Sequence, residues 1–104
     1  MIVELRDYHV TTGKLPELVR LYETEGAAIQ QEILGRFVGA FTTDVGELST
    51  YTHMWAYDDF ADREERRVRL ATDERWKPFL AKIQPLIHTQ RNRIMIPTSF
   101  SPLR

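Results

Sequence analysis

The pattern of apolar and polar residues predicts four strands separated by two helical crossovers. Stretches rich in β-branched and aromatic residues, which are typical of strands, cover residues 2–10, 37–43, 50–57 and 87–96. Apolar residues recur at helical spacing in residues 15–33, where Gly26 is expected to interrupt the helix, and between Asp59 and Pro85. Right-handed crossovers around a central hairpin then give an α+β, ferredoxin-like βαββαβ fold, a four-stranded antiparallel sheet with its helices on one face.

Alternation along the third predicted strand places an aromatic row on one side of the sheet. Tyr51, His53, Trp55 and Tyr57 share one parity, and the residues between them are Thr, Met or Ala. One side of this strand is therefore a row of rings that carries a single histidine.

The first strand adds polar residues to the same side. Val3 and Leu5 lie on one face of this strand, and Glu4, Arg6 and Tyr8 lie on the other. The predicted topology makes the first and third strands neighbours at the centre of the sheet. We therefore expect Glu4, Arg6 and Tyr8 to share an interior with the aromatic row.

The aromatic row also predicts self-association. Helices that pack on the Thr, Met and Ala side of the third strand leave the row uncovered, and an apolar patch of that size is rarely left in water. A second copy of the sheet is the simplest cover. The sequence thus predicts a homodimer through the sheet faces, with the rings lining its interior. Phe100, in an extended tail, is expected to dock on some surface of the protein.

Length and composition narrow the class of protein. A chain of 104 residues, 42% hydrophobic and 28% charged, is expected to form one domain over residues 1–104. Its net charge of −1 argues against nucleic acid as a partner. The absence of cysteine excludes disulfides and thiol chemistry and leaves the cytoplasm as the default compartment. We expect neither a signal peptide nor a membrane span, since no apolar run approaches ~20 residues.

His53 is the candidate catalytic residue, because a histidine near its usual pKa can act as an acid or a base at neutral pH. A buried histidine that simply hydrogen-bonds a neighbour is the competing interpretation. Glu4 and Arg6 form either an interior ion pair or a pair that anchors a ligand. The remaining candidates for a ligand-binding lining, which plain dimer packing would also explain, are Tyr8, Tyr51, Trp55 and Tyr57.

Metal and cofactor sites are not expected. His9, His53 and His88 lie on three different strands, without the spacing of a zinc motif. His9 and His88 are expected to be cross-strand neighbours, but no acidic ligand accompanies them. No arrangement of axial ligands indicates haem, and the five scattered glycines form no phosphate-binding loop.

The chain as a whole resembles the NIPSNAP family, within the dimeric α/β-barrel superfamily. The segments that carry this resemblance are residues 2–8 (IVELRDY), 13–16 (GKLP), 34–46 (LGRFVGAFTTDVG), 53–58 (HMWAYD), 62–63 (DR), 76–80 (WKPFL) and 97–102 (PTSFSP). The resemblance implies two sheets that face each other in a homodimeric barrel. It implies no particular reaction, because the superfamily includes cofactor-free monooxygenases, haem-degrading enzymes and isomerases.

Two functions follow as hypotheses. The first is a binding or interaction module whose aromatic-lined interior holds a small apolar or aromatic ligand. The alternative is a small cofactor-free enzyme, similar to a monooxygenase or isomerase, in which His53 is the acid–base group and Tyr8, Tyr51 or Arg6 holds an oxyanion. A large enclosed cavity with His53 pointing into it would favour the enzyme.

Overall fold

The computed structural model describes residues 1–104 and contains one sheet and four α-helices. The strands are β1 (Ile2–Val10), β2 (Arg36–Thr42), β3 (Thr50–Tyr57) and β4 (Ile87–Met95), and the helices are α1 (Leu15–Leu21), α2 (Ala27–Leu34), α3 (Phe60–Thr72) and α4 (Trp76–Ile83). The strands lie in the order β2-β3-β1-β4, and all neighbouring strands are antiparallel. The predicted α+β, ferredoxin-like fold is confirmed.

The central strands β1 and β3 bring the candidate residues together. Their register pairs Glu4 with Trp55, Arg6 with His53, and Tyr8 with Tyr51. Directly opposed residues of an antiparallel pair point to the same face of the sheet. The prediction that these six side chains share one face is therefore confirmed.

The helices cover the aromatic row, and not the Thr, Met and Ala side of β3. His53 is 0% exposed and Trp55 is 1% exposed, and Tyr51 and Tyr57 are also buried. The predictions that the row is bare and that it lines an interior between two sheets are wrong. The physical reason is area: large rings bury more apolar surface against a layer of helices than Thr or Ala can, so their side becomes the core.

The opposite side of the sheet, which we call the open face, carries no helix. Leu5 on β1 and Met54 on β3 lie opposite each other at its centre and are half-buried, and Phe41 on the edge strand β2 is exposed. The molecule measures 20 Å along its shortest axis, which fits one sheet and one layer of helices. An apolar surface is therefore left uncovered, although it is not the surface that the sequence indicated.

The first crossover is interrupted at Gly26, as expected. A π-helical turn, Tyr22–Gly26, separates α1 from α2, and such turns are frequent at functional sites. A Cβ atom on Gly26 would lie 2.3 Å from the ring of Phe79, so α4 approaches this turn closely only because the residue is glycine. The turn places the Tyr22 ring 4.8 Å from Tyr51 and 4.9 Å from Phe79, measured between ring centroids.

Single residues define the start of α3 and the end of α2. The Asp59 carboxylate accepts a hydrogen bond of 2.7 Å from the Asp62 amide and caps α3. Gly35, with φ of +86°, ends α2 in a conformation that favours glycine. None of the four α-helices has the length and apolarity of a membrane span.

The carboxy-terminal tail carries its aromatic residue in an exposed position. Phe100 is 83% exposed and does not dock on its own chain. The tail leaves the sheet at the end of β4, which is an edge strand, and residues 96–104 form no helix or strand that would hold the ring against the core.

Candidate ligand-binding site

A buried carboxylate lies at the centre of the candidate site. Glu4 is 0% exposed, and its two oxygens accept hydrogen bonds from Arg63 Nε (3.1 Å) and Nη2 (2.9 Å), Arg6 Nη1 (3.1 Å) and Asn92 Nδ2 (2.8 Å). Burial raises the pKa of this carboxyl, but the hydrogen bonds from Arg63 and Asn92 and the two guanidinium charges outweigh it and lower the pKa to about 2. Glu4 is therefore ionised, and it ties β1 to α3 and to β4.

Arg6 lies beside this carboxylate with part of its guanidinium unused. Its Nη1 donates to Glu4, its Nε donates to the Tyr8 hydroxyl at 3.0 Å, and its side chain is 12% exposed. The Nη2 group donates to no atom of the chain, although a guanidinium carries five N–H donors. Arg6 is thus a cation held at two points, with one terminal nitrogen, Nη2, free.

His53 is enclosed by rings and is neutral. The Trp55 indole Nε1–H donates to its Nδ1 at 2.9 Å, so the imidazole proton is on Nε2, which is buried without a hydrogen-bond partner in the chain. Burial, and after it the positive charge of Arg6, lowers the pKa of His53 to about 3. The one basic nitrogen is therefore already occupied at neutral pH.

Three tyrosines surround this histidine or follow it on β3. Burial raises the pKa of the Tyr22, Tyr51 and Tyr57 hydroxyls, so all three phenols stay protonated. The Tyr57 hydroxyl is buried without a hydrogen-bond partner in good geometry. None of these groups provides an anionic base at neutral pH.

A cleft of about 280 Å³ opens between the sheet and the helices, directly above Arg6. Its wall is apolar and comes mainly from α3 and α4, and its floor is polar. The lining residues are Arg6, Tyr8, Tyr22, Gln30, Arg67, Leu70, Ala71, Trp76, Leu80, Ile83, Gln84, Ile87 and Gln90. We call this space the cleft.

A second hollow of about 330 Å³ lies on the other side of Tyr22, towards the edge strand β2. Tyr51, Trp55 and Phe37 line it together with residues of the first crossover. Tyr22 and Gln30 line both spaces, so the π-helical turn and the start of α2 form the partition between them.

The structure divides the predicted site residues among three places. Arg6 and Tyr8 line the cleft, and Tyr51 and Trp55 line the second hollow. The other three, which line neither of these two spaces, are Glu4, His53 and Tyr57. All seven lie under the helices of their own chain, so none faces a second sheet as the sequence indicated.

Several residues of the site were not predicted. Arg63 and Arg67 lie four residues apart on α3 and so share one helical face, but acidic and basic residues nearly balance over residues 62–69, a pattern typical of a solvated helix face. Gln30 and Trp76 come from two further helices. The four-residue spacing of the two arginines is the signal that the sequence offered.

Metal-ligating groups do not cluster in this chain. No three His, Cys, Asp or Glu side chains lie close enough to hold a metal ion. His9 and His88 line the same shallow hollow near the end of β1, as expected of cross-strand neighbours, but His9 pairs with Glu47 alone, at 3.5 Å.

Comparisons with known proteins agree with one another over nearly the whole chain. The NIPSNAP family model matches residues 3–102. NipSnap homolog 1 of Danio rerio is 36% identical over 103 residues, which cover 99% of this chain and 36% of that protein. The chain therefore spans about a third of the length of the curated relatives it matches.

Solved structures give the same picture. A NIPSNAP family protein from Agrobacterium tumefaciens superposes with a TM-score of 0.97 at 50% identity, covering 99% of this chain and 98% of that one. A putative antibiotic biosynthesis monooxygenase from Nitrosomonas europaea superposes with a TM-score of 0.70 at 9% identity, over 93% and 98% of the two chains. At that identity the likeness shows the fold alone.

The neutral state of His53 predicts a loss of stability in mild acid. Its pKa is about 3 in the folded state and near the ordinary 6.5 in the unfolded state, so the unfolded chain binds the extra proton as the pH falls below 6.5. We expect the free energy of unfolding, measured by urea titration, to fall by about 2 kcal/mol between pH 7 and pH 5 through this group.

His53→Gln should remove most of that dependence, whereas His88→Gln, at an exposed histidine, should keep it. Equal slopes in the two variants would show that His53 is not held neutral. The paired side chain of Glu4, with a folded pKa of about 2, adds a further loss only below its ordinary value of 4.5.

Proposed function

This chain belongs to the NIPSNAP family, and we propose that it is a binding module that holds a small apolar or aromatic molecule in the cleft. One observation carries the proposal: an apolar wall on α3 and α4 meets a polar floor on which Arg6 and Gln30 keep donors that no other residue uses. Ligand sites in proteins have this composition, a mainly apolar lining with a few fixed polar groups.

The size and construction of the cleft support a small ligand. A volume of about 280 Å³ is near the lower limit of ligand pockets, which begin at roughly 300 Å³. Trp76 and Ile83 of its wall are buried parts of the core, and Arg6 is held at two points by Glu4 and Tyr8. A lining that is already fixed loses little entropy when a ligand binds.

The position of His53 gives more support to binding than to the enzymatic alternative. An acid–base group must reach the substrate and titrate near the working pH. His53 lines neither the cleft nor the second hollow, its Nδ1 accepts from Trp55, and its pKa is about 3. Catalysis by His53 would require that Trp55 release this nitrogen and that the site open.

The proposal includes a homodimer that forms through the open face. Leu5, Met54 and Phe41 give this surface an apolar centre, and Ile96 and Phe100 in the adjoining tail are exposed apolar side chains. A two-fold axis would bring the same apolar surface of a second copy against it, which is the arrangement that the dimeric α/β-barrel resemblance implies. We propose a cytoplasmic location for this assembly, the default compartment for a chain in which no disulfide can form.

Blocking the mouth of the cleft tests the binding function. Ala71 lines the cleft and is exposed, so Ala71→Trp should fill its entrance, whereas Ala81→Trp adds the same ring to an exposed position of α4 outside the lining. We expect the neutral fluorescent probe N-phenyl-1-naphthylamine to bind saturably to the wild type and to Ala81→Trp, and to bind at least tenfold more weakly to Ala71→Trp. Equal binding by the two variants would refute the proposed location.

A charge at the centre of the open face tests the dimer. Leu5→Glu puts a carboxylate where two copies would meet, and such a charge without a partner is costly to bury. Light scattering should give a dimeric mass for the wild type and a monomeric mass for Leu5→Glu. The control, Val68→Glu, changes an exposed apolar residue of α3 on the helical side and should remain dimeric. A monomeric wild type at micromolar concentration would contradict the proposal.

A further inference from the structure

The charge of the cleft restricts the ligand that it can hold. Its lining contains two arginines, Arg6 and Arg67, and no carboxylate. Arg6 uses Nη1 and Nε on Glu4 and Tyr8 and keeps Nη2 free. Arg67, which is half-buried, forms no ion pair with any carboxylate of the chain, unlike its neighbours Arg63 and Arg66. Of the two arginines that line the cleft, Arg6 therefore shares its one carboxylate partner, Glu4, with Arg63, and Arg67 has none.

A buried amide lies on the same floor. The Gln30 side chain on α2 is 4% exposed, lines the cleft, and makes no hydrogen bond within the chain. Buried amides usually have a hydrogen-bond partner. Gln30 lines both the cleft and the second hollow, so its unpaired amide is available to a ligand in either space.

The two guanidinium charges act on one region of the molecule. Both Arg6 and Arg67 lower the pKa of His53, which lies beneath the floor. Glu4 offsets part of this charge, but it is bound by both Arg6 and Arg63, so one carboxylate stands against the three guanidinium groups of Arg6, Arg63 and Arg67. A surplus of positive charge in a half-enclosed, largely apolar space favours an anion with an apolar body.

We propose that the ligand of the cleft is a small amphipathic carboxylate, and this inference rests on the binding function proposed above. The carboxylate accepts a hydrogen bond from Nη2 of Arg6 and further hydrogen bonds from Arg67, whose planar guanidinium edge matches its two oxygens. The apolar body, about the size of one or two rings, packs against Trp76 on the opposite wall. The volume of about 280 Å³ excludes a long acyl chain.

Matched pairs of charged and uncharged ligands test whether the ligand of the cleft is an anion. Phenylacetate and indole-3-acetate are titrated into the full chain at pH 7, beside their uncharged primary amides, by calorimetry and by NMR of the two tryptophan indole N–H groups. We expect the carboxylates to bind and to move the Trp76 signal, while Trp55, which lies outside the cleft, stays in place. Each amide should bind about ten- to hundredfold more weakly, which is the value of hydrogen bonds to a charged group.

Two arginine variants test which positive charge of the protein binds the carboxylate. Arg67→Gln should weaken carboxylate binding about ten- to hundredfold without changing the affinity for the amides. Arg67 has no carboxylate partner, so this variant should fold normally. Arg69→Gln removes the same charge from an exposed position of α3 and should bind carboxylates within about twofold of the wild type.

The outcomes separate the two levels of the proposal. Equal affinity for acids and amides, equal affinity in Arg67→Gln and Arg69→Gln, or movement of Trp55 in place of Trp76 would overturn the carboxylate assignment and leave a neutral ligand for the cleft or the hollow. No binding of either class at millimolar concentration, together with no saturable binding of the neutral probe, would overturn the binding function itself.

Discussion

The hydrogen-bonded Glu4 carboxylate is the interaction on which the rest of the structure depends. A lone carboxylate at the centre of a sheet is strongly unfavourable, and it persists here because Arg63, Arg6 and Asn92 all donate to it. These bonds fix where α3 crosses the aromatic face of the sheet. They also hold Arg6, whose side chain lines the cleft, in one orientation. The same network therefore stabilises the fold and prepares the floor of the candidate site.

The order and parity of the strands could be predicted from the sequence because the alternation of side chains is local. β1 and β3 have the predicted bounds, and Glu4 and Arg6 lie beside Trp55 and His53 as expected. Parity defines two faces, however, and does not say which one the helices cover. Both faces of this sheet are apolar enough to be buried. The helices cover the aromatic side because its rings fill the space beneath them. The apolar surface that is left for a partner is therefore the open face around Leu5.

The candidate site could be predicted only in part, for a related reason. Residues that share a strand face, such as Arg6 and Tyr8, are found by counting along the chain. Gln30, Arg67 and Trp76 reach the same cleft from three different helices, and their convergence depends on how α2, α3 and α4 dock. That docking depends in turn on close contacts, such as the one between Gly26 and Phe79, that no spacing pattern contains. The walls of the cleft thus depend on tertiary packing, whereas much of its floor follows from the alternation of side chains along a single strand.

The ionisation of Glu4 gives the most direct test of this account. The side-chain carboxyl carbon of Glu4 can be followed by NMR through an acid titration of the folded protein. With its carboxylate held by Arg63, Asn92 and Arg6, Glu4 should show no titration step above pH 3, because its pKa is about 2. A midpoint at or above the ordinary glutamate value of 4.5 would contradict the account, since it would mean that the network does not hold a buried charge.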